Sequence, residues 1–152
     1  MAEEGTKFDI AVIGGGPAGM MAAGVAAESG EEVILIEKNK QLGKKLLLTG
    51  NGRCNITNAE FNLRDLAKNY NNGEFLFRAF SIFGPKETIK FFEKIGVKTK
   101  IENSKRVFPF SDDAEDVLEV LKRYLEKNKV NVSYGSEIVD LVHKAKKSIK
   151  LF

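Results

Sequence analysis

The sequence has little of several residue types that define whole classes of protein. Its 152 residues include one cysteine and one histidine. A single cysteine excludes an internal disulfide, and no cluster of cysteine and histidine resembles a zinc site. No apolar run approaches the roughly 20 residues that a membrane-spanning helix needs. The net charge of +3 is too small to indicate a nucleic-acid partner by itself.

The composition is that of a globular domain. Hydrophobic residues make up 43% of the chain and charged residues 30%, a balance that excludes both a disordered chain and a membrane protein. The length suffices for one domain with a real core. The acidic start, Met1–Gly5, argues against a secretory or mitochondrial leader. Together with the single cysteine, it predicts a reducing, cytoplasmic setting.

The N-terminal quarter of the chain predicts a βαβ unit. Phe8–Ile13 is a short apolar run typical of a buried strand, and Ala18–Ser29 is rich in helix-forming alanine and methionine. Gly30 is a candidate for the end of that helix. Val33–Ile36 predicts a second buried strand that ends in Glu37. The order predicts two parallel strands joined by a right-handed crossover, and therefore an α/β, Rossmann-like fold.

The remainder predicts short helices alternating with short strands. Helices are expected at Leu63–Asn69, at Pro85–Ile95, and from a capping box formed by Asp112 and Glu115 to about Asn128. Strands are expected at Val97–Ile101, Arg106–Phe108, Val130–Tyr134 and Ile138–Val142. Phe75, Leu76, Phe80 and Phe83 recur at helical spacing and predict a helical segment. The aromatic residues Phe75, Phe77, Phe80 and Phe83 are expected to pack in the core, with a substrate channel as the alternative. His143 and the basic residues of Lys144–Lys150, which include a turn at Lys144–Ser148, are expected to face solvent.

A glycine pattern lies between the first predicted strand and helix. Gly14, Gly16 and Gly19 match the spacing G-x-G-x-x-G, in which the glycines allow a tight turn, a close approach to a pyrophosphate and close packing of helix on sheet. Pro17 suits the first helical turn. Glu37, at the end of the second strand, can accept the ribose hydroxyls of an adenosine and would repel a 2′-phosphate. The pattern reads only the ADP half of a dinucleotide, so it leaves FAD and NAD open.

A second glycine-rich segment, Gly43–Asn55, allows two interpretations. The dipeptide Asn51-Gly52 between apolar runs is typical of a hairpin turn. The same stretch offers backbone N–H groups and the cations of Lys45 and Arg53, which suit an anionic ligand such as a pyrophosphate or the edge of an isoalloxazine. Spacing alone does not decide between them.

The stretch GKKLLLTGNGRCNITN resembles the signature of the BaiN-like (YhiN-type) NAD(P)/FAD-dependent oxidoreductases. The resemblance continues at Phe83–Pro85 and at Arg106–Ser111, and covers essentially the whole chain. It implies a glutathione-reductase-like FAD domain, FAD as cofactor, NAD(P)H as reductant and a small organic acceptor. No nucleic-acid or membrane partner is expected, because the net charge is small and no apolar run is long enough to span a membrane. Family members are much longer. Residues 1–152 are therefore expected to be the N-terminal part of an FAD-binding domain whose substrate domain and closing segment lie outside the sequence.

The resemblance also implies cofactor contacts, residue by residue. It places Gly14, Gly16, Pro17, Ala18 and Gly19 at the pyrophosphate, Glu37 at the adenosine ribose with Lys38 beside it, and Ile138 in a strand at the adenine edge. Along the stretch from pyrophosphate to flavin it places Lys45, Thr49, Gly50, Gly52, Arg53, Cys54 and Asn55. It identifies no catalytic residue. Without a second cysteine nearby, Cys54 is expected to be a packing residue rather than a redox thiol.

Two other functions stay open on the sequence alone. The chain can be a non-enzymatic NAD-binding regulatory module, which leaves Gly43–Asn55 without a role. It can also be a folded fragment with no ligand and no activity of its own. Bound flavin separates these hypotheses, because only the oxidoreductase interpretation predicts it.

Overall fold

The computed structural model describes residues 7–144 and 148–151 of the chain. The predicted basic turn at Lys144–Ser148 and the predicted surface position of the His143 side chain lie outside the described residues. The chain divides into two compact units, one made of Met1–Lys45 with Leu121–Phe152 and the other of Leu46–Val120. No helix among the described residues is both long enough and apolar enough to cross a membrane.

The predicted elements follow one another in the predicted order, with some shifts at their ends. A 3₁₀ segment and a two-residue strand, which the sequence does not predict, lie between the second strand and the second α-helix. In chain order they are β1 (Ile10–Ile13), α1 (Pro17–Glu28), β2 (Val33–Glu37), a 3₁₀ segment (Leu46–Gly52), β3 (Thr57–Asn58), α2 (Leu63–Ala67), α3 (Gly73–Ile82), α4 (Pro85–Ile95), β4 (Thr99–Ile101), β5 (Arg106–Pro109), α5 (Ala114–Lys127), β6 (Asn131–Tyr134), β7 (Leu141–Lys144) and β8 (Ser148–Leu151).

The first unit contains the parallel sheet that the sequence predicts. Its strand order is β1-β2-β6, with Leu35 of β2 opposite Val12 of β1 and Val132 of β6. Every residue of β2 is buried, as expected for a central parallel strand with an almost wholly apolar sequence. Helix α1 ends as predicted, because Gly30 takes the left-handed φ of +95° that favours glycine after a helix. The βαβ prediction is therefore confirmed.

A glycine in α1 lets this helix approach the C-terminal part of α5 within the first unit. A Cβ added to Gly24 would lie 2.1 Å from Cε1 of Tyr124. The ring is almost fully buried. Burial, with a hydrogen bond to the Glu28 side chain, raises the pKa of Tyr124 to about 12. The tyrosine is therefore neutral at any physiological pH and acts as a packing residue.

The second unit is built on an antiparallel sheet in the order β3-β5-β4. The middle strand, β5, carries Val107 and Phe108, which are almost completely buried. Helix α4 begins at a proline, as predicted, and ends at Gly96, whose φ of +113° again suits only glycine. The β5 strand thus forms the centre of this unit.

The start of helix α5 differs from the predicted capping box. The helix is capped by Asp113, whose Oδ1 accepts the backbone N–H of Glu115 at 2.9 Å. Asp112 instead has a left-handed φ of +59°, and its carboxylate accepts hydrogen bonds from Arg53. The box of Asp112 with Glu115 is therefore wrong by one residue. Two adjacent aspartates have equal capping propensity, and tertiary contacts decide which of them caps.

Helix α3 forms where the aromatic spacing predicts, but the core prediction for its aromatic residues is wrong. Those residues are Phe75, Phe77 and Phe80, together with Phe83, which directly follows the helix and is 38% exposed. Within α3, all of which is described, no residue is buried, and Phe75 is 84% exposed. Phe80 contacts Tyr70, with 5.4 Å between ring centroids, rather than a core. Helical spacing shows that apolar residues share a face. It does not show that another element covers that face.

Candidate cofactor-binding site

The turn between β1 and α1 has a backbone that only glycine fits at two positions. Gly14 has φ +103°, and its N–H donates to the carbonyl oxygen of Ile36 at 2.8 Å. A Cβ added to Gly19 would lie 1.9 Å from the carbonyl oxygen of Gly14. The tight turn and the close approach of α1 to it therefore require these two glycines, as the sequence pattern predicts.

The first turn of α1 presents backbone donors that the helix itself does not use. The first helical hydrogen bond runs from the N–H of Met20 to the carbonyl oxygen of Gly16 at 2.9 Å. The N–H groups of Ala18 and Gly19 come before it and have no acceptor within the helix. Pro17 has no N–H to satisfy. In this fully described segment, no side chain caps the helix and no acidic residue lies in its first turn. The end is therefore suited to an anion.

Space is available next to those donors. A Cβ added to Gly16 would meet no heavy atom within 4 Å. The backbone there is extended, with φ −77° and ψ 177°, so glycine is not needed for conformation. Neither the turn nor the packing of the chain therefore requires glycine at this position, and the space beside it is open to a ligand.

Glu37 lies directly against this turn. It is 7% exposed, and its Oε2 accepts the N–H of Gly15 at 2.7 Å. Its Oε1 accepts the backbone N–H of Asn39 at 2.8 Å and also the Asn39 side-chain amide. Burial opposes the charge, but these hydrogen bonds outweigh burial, and the pKa of Glu37 lies below its usual value. The carboxylate is therefore charged at neutral pH.

The hydrogen bonds limit what else Glu37 can accept. A carboxylate offers about four acceptor positions, of which Asn39 and Gly15 together use three. One position on Oε2 is left for a ligand hydroxyl, and a second becomes available when the Asn39 amide turns away. Asn39 is not identifiable from the sequence, because a polar residue two positions after a strand is too common to stand out.

The loop after β6 fixes the backbone around Glu37. The N–H of Ser136 donates to the Glu37 carbonyl oxygen at 3.0 Å, and the N–H of Gly135 donates to that of Asn39 at the same distance. The prediction that Ile138 lies in a strand is wrong, because β7 begins only at Leu141. Glycine and serine in the preceding positions hold this stretch as a loop against the end of β2.

Lys38 lies beside Glu37 in the chain, as predicted, but its ammonium turns elsewhere. Its Nζ is 3.8 Å from Oε1 of Glu137, and both side chains are largely exposed. Such a surface pair contributes little energy. Lys38 as a cofactor contact stays a prediction.

The second glycine-rich segment is a turn of unusual backbone conformation. Thr49 is extended, and Gly50, Asn51 and Gly52 follow with φ values of +57°, +58° and +84°. The threonine hydroxyl donates to the carbonyl oxygen of Leu46 at 2.7 Å. The hairpin interpretation is wrong, because Asn51 and Gly52 lie within the irregular 3₁₀ segment and not between two paired strands, and β3 after them pairs with β5.

Arg53 and Cys54 have partners inside the second unit. The Arg53 guanidinium contacts the carboxylates of Glu102 and Asp112, and lies 4.0 Å from the ring centroid of Phe108. Cys54 is 5% exposed, and burial raises the pKa of its thiol. A buried, protonated thiol is a packing residue, in agreement with the expectation from the sequence.

Lys45, Thr49 and Asn55 are exposed. The structure brings together Gly14–Gly19 and Glu37 in the first unit. It brings Thr49 and Gly50–Cys54 together in the second. The cofactor contacts of both groups stay predictions. Among the described residues, no three histidine, cysteine or acidic side chains gather into a metal site.

A parallel βαβ sheet whose glycine turn meets a buried acidic residue at the end of the second strand defines a Rossmann-type nucleotide-binding fold. The chain belongs to the HI0933-like protein Rossmann domain family, whose sequence model matches residues 8–151. This match confirms the resemblance drawn from the sequence and the predicted fold class.

Two curated relatives match most of the chain. It is 38% identical over 141 residues to the 3-dehydro-bile acid delta(4,6)-reductase of Clostridium scindens. The aligned region covers 90% of this chain and 33% of that protein. It is 30% identical over 135 residues to the ribosomal RNA dihydrouridine synthase of Escherichia coli. The aligned region covers 89% of this chain and 33% of that protein. The chain therefore spans about a third of the length of these relatives.

Solved structures share the fold at low sequence identity. The 3-ketosteroid-delta4-(5alpha)-dehydrogenase of Rhodococcus jostii matches with a TM-score of 0.67 and 16% identity, over 93% of this chain and 40% of that one. The THI4 protein of Thermovibrio ammonificans matches with a TM-score of 0.62 and 18% identity, over 91% and 42%. At these identities the likeness shows the fold alone.

Proposed function

We propose that this chain binds the ADP half of FAD, as the N-terminal part of the FAD-binding domain of an oxidoreductase. One observation carries the proposal: the Gly15 N–H donates to Glu37 at 2.7 Å. This bond fixes an acidic acceptor next to the uncapped start of α1. An adenosine diphosphate needs that pair of groups, donors for its phosphates and an acceptor for its ribose hydroxyls.

The residues present fit such a ligand. The N–H groups of Ala18 and Gly19 would hold the pyrophosphate, with Gly16 allowing its close approach and Pro17 leaving the helix end uncrowded. Glu37 would accept a ribose hydroxyl at its remaining position. FAD, when bound, supplies the hydride-transfer chemistry, and the chain contributes binding, orientation and charge.

The charge of Glu37 disfavours NADP in this site. A 2′-phosphate would come close to a carboxylate that the lowered pKa keeps ionised. Two like charges about 4 Å apart repel by about 1 to 4 kcal/mol, depending on the effective dielectric constant. This repulsion disfavours NADP but does not separate NAD from FAD. We assign FAD to this site because of the resemblance to FAD-dependent oxidoreductases, and a nicotinamide nucleotide enters only as reductant.

The family supports the oxidoreductase class and a small organic acceptor. The relative with 38% identity is named a reductase of a bile acid, and the one with 30% identity a synthase acting on ribosomal RNA. We propose the small-molecule class, with NAD(P)H as reductant, because the identity to that relative is higher. A cytoplasmic setting and the cofactor contacts of Lys45 and Thr49–Asn55 belong to the same proposal.

The test is a ligand panel on the purified chain. FAD and ADP are expected to bind, FMN is not, and NADP is expected to bind more weakly than ADP. Bound FAD shows as yellow protein that absorbs at about 450 nm. We expect a micromolar or weaker dissociation constant, because the chain holds only part of the cofactor. Binding of NAD without FAD supports the regulatory module, and binding of no nucleotide refutes the proposal.

A further inference from the structure

Arg53 is held by three groups of the second unit that lie far from it in the sequence. Its Nε and Nη2 donate to Oδ1 of Asp112 at 2.9 and 2.7 Å, across 59 positions of the chain. Its Nη2 also contacts Glu102. The guanidinium lies 4.0 Å from the centroid of the buried Phe108 ring. Two carboxylates thus contact this cation, although Asp112 also pairs with Lys100 and Glu102 with Arg106.

The same ring also supports the turn that precedes Arg53. A Cβ added to Gly50 would lie 2.8 Å from Cε1 of Phe108 and 2.9 Å from the backbone nitrogen of Asn55. The turn closes through the N–H of Cys54, which donates to the Thr49 carbonyl oxygen at 3.0 Å. The turn thus contacts Phe108 at its glycine, and Arg53 covers the ring again after it.

The turn needs such support because its backbone is unfavourable. Asn51 and Cys54 both take left-handed conformations, with φ values of +58° and +61°, although each carries a Cβ. Asparagine tolerates this conformation, but cysteine keeps it only where surrounding contacts impose it. Arg53 is adjacent to Cys54, and its hydrogen bonds to Asp112 and Glu102 are the strongest contacts that hold the turn. Hydrogen bonds between charged groups are stronger than those between neutral groups.

We propose that Arg53 is a positioning residue and not an anion ligand: bound to Asp112, Glu102 and Phe108, it fixes the turn Thr49–Cys54 in the conformation that presents its backbone to the cofactor. The cofactor part of this inference rests on the proposed function. In this proposal the backbone N–H groups of the turn, and not the Arg53 side chain, bind the anionic part of the cofactor.

The two roles predict opposite effects when the carboxylates are neutralised. If Arg53 were an anion ligand, Glu102→Gln and Asp112→Asn would release a competing charge, and FAD would bind more tightly or equally well. If Arg53 positions the turn, the same substitutions loosen it, and FAD binds more weakly. The same substitutions also release Lys100 from Asp112 and Arg106 from Glu102, and a released cation can only favour an anionic ligand. Weaker FAD binding therefore points to the loosened turn.

The experiment compares Arg53→Met, Glu102→Gln and Asp112→Asn with the control Arg78→Met, which removes an exposed cation of α3. FAD affinity is measured by titration, and amide exchange of the Thr49–Asn55 peptide by mass spectrometry. We expect each of the first three to weaken FAD binding by about three- to tenfold and to speed exchange at Cys54, while the control changes neither. Tighter binding in the carboxylate variants overturns the inference.

The exchange measurement separates the two proposals. If the unaltered chain binds no FAD, the proposed function fails, and exchange still tests the role of Arg53. Unchanged exchange at Cys54 in Arg53→Met then shows that Arg53 does not hold the turn. The carboxylate variants each leave one ion pair in place, so they keep the test valid if Arg53→Met does not fold.

Discussion

One added methyl group, placed at either of two glycines three positions apart, is expected to separate ligand binding from folding. In Gly19→Ala the new Cβ would lie 1.9 Å from the Gly14 carbonyl oxygen, a backbone atom that cannot rotate away. Overpacking costs about 1 to 3 kcal/mol, and a fixed backbone contact belongs at the upper end. Alanine returns up to about 1 kcal/mol of helix propensity. A net loss of about 2 kcal/mol lowers the Tm by about 4 to 8 °C.

In Gly16→Ala the new Cβ meets no atom of the chain within 4 Å, and the backbone is already extended. The free energy of unfolding is therefore expected to change by no more than about 0.5 kcal/mol. The methyl group would enter the space proposed for the pyrophosphate, so ADP affinity is expected to fall at least about tenfold.

Thermal unfolding and ADP titration of both variants, beside the unaltered chain, provide the assay. The reasoning is refuted if Gly16→Ala unfolds as early as Gly19→Ala, because the open space at Gly16 would then not exist. It is also refuted if Gly16→Ala binds ADP with unchanged affinity, because nothing would then approach that position.

Three further variants test the rest of the fold and site. Gly24→Ala should lower the Tm by more than Gly16→Ala does, because its Cβ would lie 2.1 Å from the buried Tyr124 ring; equal Tm values would contradict this packing. Glu37→Gln should cost about 1 to 3 kcal/mol of unfolding free energy at neutral pH. Because the pKa of Glu37 is lowered in the folded chain, this stabilisation is present above the usual pKa of 4.5 and is lost as the pH falls through the folded pKa. The unfolding free energies of Glu37→Gln and the unaltered chain should therefore become equal in acid. A difference that stays constant with pH would contradict a charged Glu37. Asp113→Ala should speed amide exchange at Glu115 and cost about 1 kcal/mol, whereas Asp112→Ala should leave that amide protected; the reverse order would restore the capping box.

The sequence predicts the first unit well because its signals are local. A continuous apolar run gives the buried strand β2, and a glycine with positive φ is needed wherever the chain turns sharply, as at Gly14 and Gly30. Pro17 marks the start of α1 correctly for the same reason, since its ring geometry and missing N–H act within one residue.

The sequence fails where distant contacts decide the outcome. The sequence predicts an unpaired cation at Arg53, because its partners Glu102 and Asp112 lie 49 and 59 positions away along the chain. The sequence predicts a helix cap at Asp112 because it does not show the distant Arg53 that binds this carboxylate. Ile138 reads as part of a strand because it is apolar, although hydrogen bonds from the residues before it to the end of β2 hold a loop there.

The most direct test of the central claim is an amide chemical-shift map of the chain during titration with ADP. We predict that the largest shifts fall on the amides of Gly15, Gly16, Ala18 and Gly19, and that in Gly16→Ala the shifts at the other three positions require at least about tenfold more ADP. Shifts confined to other parts of the chain, or none at saturating ADP, would contradict the claim that the start of α1 binds the diphosphate.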